Sequence, residues 1–379
     1  MNFEEHVAKA LLTRFGIVIP EGILATTPSE AGAAAARIGA SVVKAQVPTG
    51  KRGKAGGIRL AATAAEAVAH ASAILGMEIA GWKVGKVLVE QQTAIARELY
   101  AAIIGDTATK QPMLLFSALG GIDVEEQAAS NPEAMRRIPI SIESGLDAAT
   151  ARTAIAGLGL DTIEPRLAEV LLGLYRAWCA LDAELVEINP LAVTRDGRIV
   201  ALDCKLTVDD SAAPRQAEIA ALAAPERMTP LEAKAAAAGL RYIELGGSVG
   251  VLANGAGLTM TTMDVVAHYG GSPANFLEIG GEAYTKARTA LSILLENRNI
   301  ESLLVNFCGA FARTDVMAEG VIAAWEELKP DIPIFFTIHG TGEDEAVALV
   351  RARLGIEPYD LMDDAVKAAV AAAGGRRAA

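Results

Sequence analysis

The second half of the chain repeats one pattern four times: a short apolar run, a glycine-containing turn and a stretch with helical periodicity. The apolar runs are residues 249–253, 275–279, 302–307 and 334–338, and the turns that follow them are 254–257, 280–282, 308–313 and 339–342. Strands that alternate with helices in this way predict βαβ units and a parallel sheet. Because ligands of such sheets bind beyond the carboxyl ends of the strands, the edge that carries the four turns is the predicted binding edge.

The first half of the chain contains a strong hairpin signal. Two apolar runs, 184–193 and 198–205, flank an Asp-Gly turn, which is typical of antiparallel strands joined by a short loop. A three-residue loop would set Glu187 opposite Lys205, and a two-residue loop would move each pairing by one position. Directly opposed residues share one face of a hairpin, because side chains alternate along a strand.

The same three-residue loop sets Asn189 opposite Asp203. An amide and a carboxylate on one face form an oxygen-rich cluster, which favours a hard cation such as Mg²⁺ with nucleotide phosphates completing its shell. The alternative is an edge hairpin whose polar residues lie in solvent. Pro190 and the carboxylates interrupt runs that otherwise look like core, and this favours the metal site.

A second candidate site is the loop 48–57, which lies between two predicted strands. Four glycines and three basic residues stand among its ten positions. Backbone amides and cationic side chains of such a loop can close over phosphates, although it is not a Walker loop, because no GxxxxGK[ST] is present and no helix follows. The alternative is a solvated hairpin tip.

Three charged residues fall within or at the ends of predicted strands near this loop. Lys44 stands among apolar residues, where it either faces the interior towards a phosphate or base, or extends along an edge into solvent. Glu90 ends the run 86–90 and could accept hydrogen bonds from a ribose or base, whereas Glu98 could pair with a lysine. Taken as isolated positions, both glutamates are predicted to be surface groups.

Composition excludes several classes of protein. The formal net charge of −12 argues against a general nucleic-acid binder, which needs a basic footprint. Three widely separated cysteines form no metal-binding spacing, so free thiols in a reducing compartment are expected. No apolar run reaches the length of a membrane span, and the acidic start does not resemble a signal peptide, so a cytoplasmic location without membrane contact is expected.

The pattern of the chain changes near residues 225–240, which predicts two domains, 1–228 and 240–379. Ten segments together carry a resemblance to a known family: 1–9, 42–47, 52–57, 88–90, 97–100, 187–191, 254–258, 263–264, 271–277 and 305–306. With them the chain resembles, nearly end to end, the beta subunit of ADP- or GDP-forming succinyl-CoA synthetase and relatives such as malate–CoA ligase. The resemblance implies an α/β fold, an ATP-grasp domain followed by a flavodoxin-like, doubly wound parallel-sheet domain.

The resemblance also implies roles for individual residues. Nucleotide-contacting positions correspond to Lys44, Lys51, Arg52, Gly53, Glu90, Thr93 and Glu98. The Mg²⁺ positions correspond to Asn189 and Asp203, and Glu187 corresponds to a position near the phosphoryl-carrying histidine. The carboxylate-binding region corresponds to Asn254 and the loop Gly309, Ala310, Phe311 and Ala312.

The implied chemistry has three steps. ATP or GTP phosphorylates a histidine, the phosphoryl group passes to a carboxylic acid, and the CoA thiol displaces phosphate from the acyl phosphate. None of the four histidines stands in the family's phosphohistidine motif, which belongs to an alpha subunit together with most of the CoA site. The chain is therefore expected to be active only with that partner, as αβ or α2β2. His339 lies on the binding edge, as a substrate contact or as a turn residue with a local hydrogen bond.

The sequence departs from the family pattern at the two candidate loops. Lys51 replaces a glycine of the phosphate loop, which adds charge and removes flexibility. Cys308, Gly309, Ala310 and Phe311 replace Phe-Gly-Gly-Ile, so the acid need not be succinate. The alternative function is a non-catalytic nucleotide-binding or scaffold paralogue. An ATP-grasp carboxylase or amide ligase is disfavoured, because the second domain matches the CoA-ligase layout.

Overall fold

The structure is a computed structural model that describes residues 1–121, 132–279 and 283–375. The chain divides into two compact units, Met1–Glu226 and Arg227–Ala379. Within the described part of the chain, no helix is both long enough and apolar enough to span a membrane. All three cysteines are free thiols, as predicted.

The described residues of the first unit form a four-stranded and a six-stranded antiparallel sheet, a small two-stranded antiparallel sheet, and the helices that pack on them. Its helices are α1 (Glu5–Thr13), α2 (Pro28–Ile38), α3 (Ala64–Ile74), α4 (Ala148–Ile155), α5 (Glu164–Ala180) and α6 (Ala217–Ala220). Its strands are β1 (Gly22–Ala25), β2 (Ser41–Ala45), β3 (Ile58–Ala61), β4 (Glu78–Ile79), β5 (Trp82–Lys83), β6 (Val87–Gln91), β7 (Ile95–Asp106), β8 (Gln111–Ser117), β9 (Met135–Pro139), β10 (Ala183–Thr194), β11 (Ile199–Ala201) and β12 (Lys205–Val208).

The smaller sheet has the order β1-β6-β2-β3 and is covered by α2 and α3. α2 begins with a reciprocal capping box between Thr27 and Glu30, which satisfies amides that the first helical turn leaves unpaired. The core beneath both helices is built mostly from alanine and valine, for example Ala31, Ala67 and Val43. The strand order makes β2 and β6 the inner strands of this sheet.

The larger sheet has the order β11-β10-β7-β8-β9, with β12 also paired to β10. The predicted hairpin is present with the three-residue loop: Thr194 N donates to Arg198 O, and Gly197 has the left-handed φ of 80° that this loop favours. Glu187 pairs with Lys205, as predicted. Leu202 N donates to Pro190 O, so the same register continues past the gap between β11 and β12.

The second unit contains the predicted parallel sheet. Its helices are α7 (Pro230–Ala237), α8 (Ala256–His268), α9 (Ala283–Glu296), α10 (Thr314–Leu328), α11 (Glu343–Leu354) and α12 (Met362–Gly375), and its strands are β13 (Tyr242–Glu244), β14 (Val249–Ala253), β15 (Asn275–Leu277), β16 (Ser302–Gly309) and β17 (Ile334–Gly340). β14, β16 and β17 form a continuous parallel ladder. β15 joins β14 through isolated parallel bridges at its ends and through the Asn275 side chain, which bonds the backbone N and O of Val251, and it pairs antiparallel with β13.

The four strands β14, β15, β16 and β17 therefore lie in the spatial order 2-1-3-4, which is the flavodoxin-like order. Successive residues of β14 face opposite sides: Val251 packs with α8 and α12, and Leu252 packs with α9, α10 and α11. Helices on both faces confirm the doubly wound prediction. The predicted turn 280–282 lies outside the described residues.

Candidate functional site

Six charged side chains form one cluster in the first unit, and all are buried except that of Asp203, which is 32% exposed. They come from α1, β2, the loop after β2, β6 and the segment after β11, and they are Glu5, Lys9, Lys44, Arg52, Glu90 and Asp203. Three cations balance three carboxylates. Charge balance is required here, because an unpaired ion taken out of water costs several kcal/mol. The cluster joins α1 to both sheets.

Lys44 faces the interior, as the first of the two alternatives predicted. Only 6% of the residue is exposed. Its Nζ lies 3.0 Å from Glu5 Oε1 and 2.6 Å from Glu90 Oε1, and it donates to the carbonyl of Leu202 at 2.6 Å. Burial alone would lower the pKa of Lys44, but the surrounding carboxylates raise it above its ordinary value. The Lys44 side chain therefore stays protonated and carries a positive charge.

Glu90 is not a surface group, and that prediction was wrong. The residue is 2% exposed, because β6 is an inner strand and the carboxylate turns towards Lys44 and Lys9. The sequence analysis also missed Glu5 and Lys9. Their spacing of four residues places them on one face of α1, the face that also buries Leu12. A helical wheel that included the charged residues would have found that face.

Arg52 bridges the cluster to the hairpin. Its guanidinium lies 2.6 Å from Glu5 Oε2 through Nη1 and 2.6 Å from Asp203 Oδ1 through Nη2, and it also donates to Ala45 O. Burial alone would raise the pKa of Glu5, but Arg52, Lys44 and Lys9 together hold it well below its usual range. Arg52 is thus a buried arginine, and not an exposed residue of the phosphate loop.

Asn189, Asp203 and Glu187 line one cavity of about 110 Å³, together with Lys51 and Arg52. Asn189 is held in place by Gly121, whose backbone N donates to Oδ1 at 2.8 Å and whose O accepts from Nδ2 at 3.0 Å. Asp203 Oδ1 accepts from Cys204 N at 2.8 Å. The hairpin therefore fixes both predicted metal ligands on one wall.

The donors on this wall fit a hard dication. Asn189 and Asp203 offer only oxygen atoms, and a carbonyl oxygen that accepts one hydrogen bond keeps a second lone pair. Over the described ranges, no three His, Cys, Asp or Glu side chains come together as a ready-made metal site. Two protein oxygens beside buried cations suit Mg²⁺, because this ion keeps several bound waters and takes its other ligands from the phosphate oxygens of a nucleotide.

The remaining nucleotide candidates lie around this cavity and the loop. Lys51 is exposed and has a left-handed φ of 63°, a conformation that favours the glycine it replaces in the family pattern. Gly53 is exposed in the same loop. Glu98 is half-buried on β7 opposite Ala192, and its carboxylate lies against Gly121. Thr93, between β6 and β7, is also half-buried, and neither it nor Glu98 belongs to the buried cluster.

In the second unit, Asn254 links the ends of two parallel strands. Its Nδ2 donates to Cys308 O at 2.8 Å, and Cys308 N donates to its Oδ1 at 2.7 Å. These strands, β14 and β16, are the pair at which the strand order reverses, and ligands of doubly wound sheets bind at that point. Both polar ends of Asn254 are therefore used to hold the start of the predicted acid loop.

The acid loop is closed by a second set of contacts. Thr341 N donates to Gly309 O at 3.0 Å, and Thr341 Oγ1 donates to Ala310 O at 3.0 Å. The Phe311 ring is fully exposed, so it lies outside the packed part of the loop, and Ala312 is half-buried. The influence of these residues on the choice of acid stays a prediction.

His339 lies at the end of β17, and its ring makes a hydrogen bond, but to a residue 21 positions further along the chain and not within the turn that the second alternative named. Nε2 donates to Asp360 O at 2.6 Å, and Nδ1 lies 3.4 Å from Glu343.

Comparison with known proteins agrees with both units. The family model for an ATP-grasp domain matches residues 2–193, and the model for a CoA-ligase matches residues 252–370. The chain is 44% identical over 377 residues to the GDP-forming succinate–CoA ligase subunit beta of Thermus thermophilus, covering 99% of this chain and 100% of that protein. It is also 44% identical over 378 residues to the ADP-forming subunit beta of Chloroflexus aurantiacus, with the same coverage of 99% and 100%.

A solved structure supports the fold. ATP citrate lyase from Methanothrix soehngenii, in complex with citrate and coenzyme A, matches with a TM-score of 0.75 and 23% identity over 98% of this chain and 99% of that chain. The fold and the two matched families define a subunit of the acid–CoA ligases that contain an ATP-grasp domain. These enzymes are acid–thiol ligases. The chain belongs to the succinate–CoA ligase beta-subunit family, which confirms the resemblance and the predicted fold.

Proposed function

We propose that this chain is the beta subunit of a nucleotide-dependent acid–CoA ligase, active only with an alpha subunit. The observation that carries the proposal is the cavity wall where Asn189 and Asp203 meet the buried cation Arg52. Phosphoryl transfer asks a protein mainly for positioning and charge neutralisation, and this wall supplies both. ATP or GTP is the phosphoryl donor, because relatives of equal identity are named for each product.

The residues of the first unit bind and orient the nucleotide. Lys44, Lys51 and Arg52 supply positive charge to its phosphate oxygens, and the amide of Gly53 is available on the open side of the loop. Glu98, which lies against the Gly121 that holds Asn189, and Thr93 are proposed to contact the remainder of the nucleotide. Bound Mg²⁺, held by Asn189 and Asp203, neutralises phosphate charge and aligns the phosphoryl group.

Glu187 is proposed to meet the histidine that the alpha subunit brings to the site. It lies two residues before Asn189 on the same strand face and lines the same cavity. A carboxylate there can accept the Nδ1 proton of an imidazole and orient Nε2 towards the phosphoryl group. The phosphoryl group leaves the nucleotide, forms a P–N bond with the histidine, and later passes to a carboxylate oxygen of the acid.

The second unit is proposed to bind the acid, in the loop Gly309, Ala310, Phe311 and Ala312 that Asn254 holds. The acyl phosphate formed there loses phosphate when the CoA thiolate attacks its carbonyl carbon, giving the thioester. The alpha subunit supplies the histidine and most of the CoA site, in an αβ or α2β2 assembly. A loop that lacks the usual glycine at 310 supports an acid other than succinate as a substrate.

The test uses the full chain co-expressed with a cognate alpha subunit. Millimolar Mg·ATP or Mg·GTP is expected to raise the melting temperature of the chain by mass action, and the complex is expected to form a thioester from CoA and at least one dicarboxylate, succinate or malate. A complex that binds nucleotide and yields no thioester with any acid would contradict the enzyme assignment. It would favour the non-catalytic paralogue.

A further inference from the structure

Lys9 is a buried cation whose charge has no assigned role in the proposed reaction. It lies on α1 and is 2% exposed. Its ammonium group donates to Glu5 Oε1 at 3.0 Å, to the Glu90 carboxylate and to the carbonyl of Leu202 at 3.2 Å. A lysine is buried this deeply only when its charge is paired, so the partners of Lys9 indicate what the charge is for.

Those partners are the same three residues that hold Lys44. Lys44 Nζ reaches Glu5 Oε1 at 3.0 Å, Glu90 Oε1 at 2.6 Å and Leu202 O at 2.6 Å. Two ammonium groups therefore share two carboxylates and one carbonyl. Either lysine alone could neutralise Glu90, so the second one is redundant while both stay in the cluster.

The redundancy matters when Lys44 turns towards a phosphate or base. Glu5 keeps Arg52 as a partner, at 2.6 Å. Glu90 has only the two lysines among its ion pairs within the described residues. Without Lys9, the departure of Lys44 would leave Glu90 as an unpaired buried carboxylate, which is strongly unfavourable.

We propose that Lys9 is a positioning residue that stays with Glu5 and Glu90 and so releases Lys44 to the nucleotide. The inference rests on the proposed nucleotide-binding function and adds a role for Lys9, which is not among the residues that line the cavity. Lys9 acts by removing the electrostatic cost of moving Lys44. It makes no contact with the substrate.

The test is calorimetric titration of the full chain with Mg·ATP and Mg·ADP. Lys9→Met is expected to weaken nucleotide binding about tenfold or more, which is the usual effect of removing a residue that orients a ligand-binding group. Lys9→Arg keeps the positive charge and is expected to retain most of the affinity. Lys86→Met is the matched control, because Lys86 pairs with Glu4 at 2.6 Å, is more exposed and lies outside the cluster. It should leave affinity within about twofold of wild type, since distant sites act independently.

A double-mutant cycle separates this role from a merely structural one. In a Lys44→Met background there is no lysine left to release, so adding Lys9→Met should change nucleotide affinity by less than about twofold. Additive losses would overturn the inference. If the wild-type chain binds no Mg-nucleotide, the proposed function fails as well, whereas wild-type binding that Lys9→Met leaves intact overturns this inference alone.

A charge-balanced variant covers the case in which Lys9→Met does not fold. Lys9→Met combined with Glu5→Gln leaves two cations, Lys44 and Arg52, facing two carboxylates, Glu90 and Asp203. This protein is expected to fold and to bind nucleotide about tenfold or more weakly, since Lys44 is then the sole partner of Glu90. Wild-type affinity in the double variant would contradict the proposed role of Lys9.

Discussion

The substitution Glu5→Gln tests whether the buried cluster is held together by charge balance. Glu5 contacts Lys9 and Lys44 at 3.0 Å each and Arg52 at 2.6 Å, and its side chain is 1% exposed. Glutamine has the same shape but leaves three cations facing two carboxylates. Breaking a buried ion pair by removing one partner costs about 3–5 kcal/mol, and a loss of that size in the free energy of unfolding is expected for the first unit.

Urea denaturation followed by tryptophan fluorescence measures this loss. The background Trp325→Phe confines the signal to Trp82 and Trp178, both of which lie in the first unit. The matched control is Glu327→Gln, which removes a carboxylate that binds Arg288 at 2.7 and 2.8 Å where the two side chains are 55% and 62% exposed. Exposed pairs contribute about 0–1 kcal/mol, so the control should scarcely change the stability of its own unit, measured by Trp325 fluorescence in a separate Trp82→Phe, Trp178→Phe background.

The effect of Glu5→Gln has a defined pH dependence. Arg52, Lys44 and Lys9 lower the pKa of Glu5 although burial opposes them. The stabilisation by the carboxylate is therefore fully present above its unfolded pKa of about 4.3 and is lost as pH falls through the lower folded pKa. The difference between wild type and variant should be largest near neutrality and shrink in acid. A loss no larger than that of Glu327→Gln at pH 7 would refute the charge-balance reasoning.

Three further outcomes are expected. Gly340→Ala should destabilise the second unit by about 3 kcal/mol or more in urea denaturation, since a Cβ there would lie 2.0 Å from a backbone oxygen and φ is +96°. The control Gly355→Ala, where φ is +66° and the space is open, should cost only about 1–2 kcal/mol. Burial lowers the pKa of His6, so NMR titration should place that pKa below about 6.5. Stability should fall as pH drops below about 6.5, because the unfolded chain binds the proton more tightly than the folded chain does. A measured pKa at or above about 6.5 would contradict the burial. Asn254→Ala removes both bonds to Cys308 and should raise the KM for the acid about tenfold while the KM for the nucleotide stays constant; equal changes in both constants would argue against a local role.

The local features of the site could be predicted from the sequence. Side chains alternate along strands, and the Asp-Gly turn limited the loop to two or three residues, so counting predicted the pairing of Glu187 with Lys205 to within one position. The parallel sheet followed equally from four strand–turn–helix units. Both are short-range properties, in which each residue is placed by its neighbours in the chain.

The buried cluster could not be predicted in the same way, because it depends on long-range pairing. Glu90 looks exposed when read alone, and it becomes buried only because β1 and β2 flank β6 and two lysines turn towards it. Arg52 looks like part of a flexible loop until Glu5, 47 positions earlier, is brought beside it. β15 departs from the predicted all-parallel sheet for a related reason. Its outer edge pairs antiparallel with β13, and the strand–helix repeat does not encode this pairing.

Transfer of the terminal phosphoryl group to the alpha subunit is the most direct test of the proposed function. The complex of this chain with its alpha subunit is incubated with Mg·ATP or Mg·GTP labelled in the γ-phosphate, and label on the alpha-subunit histidine is measured. Wild type and Asp196→Asn, a change in the exposed hairpin turn, are expected to transfer label, whereas Asp203→Asn should lose transfer with subunit assembly intact. Undiminished transfer by Asp203→Asn would contradict the assignment of this hairpin as the floor of the phosphoryl-transfer site.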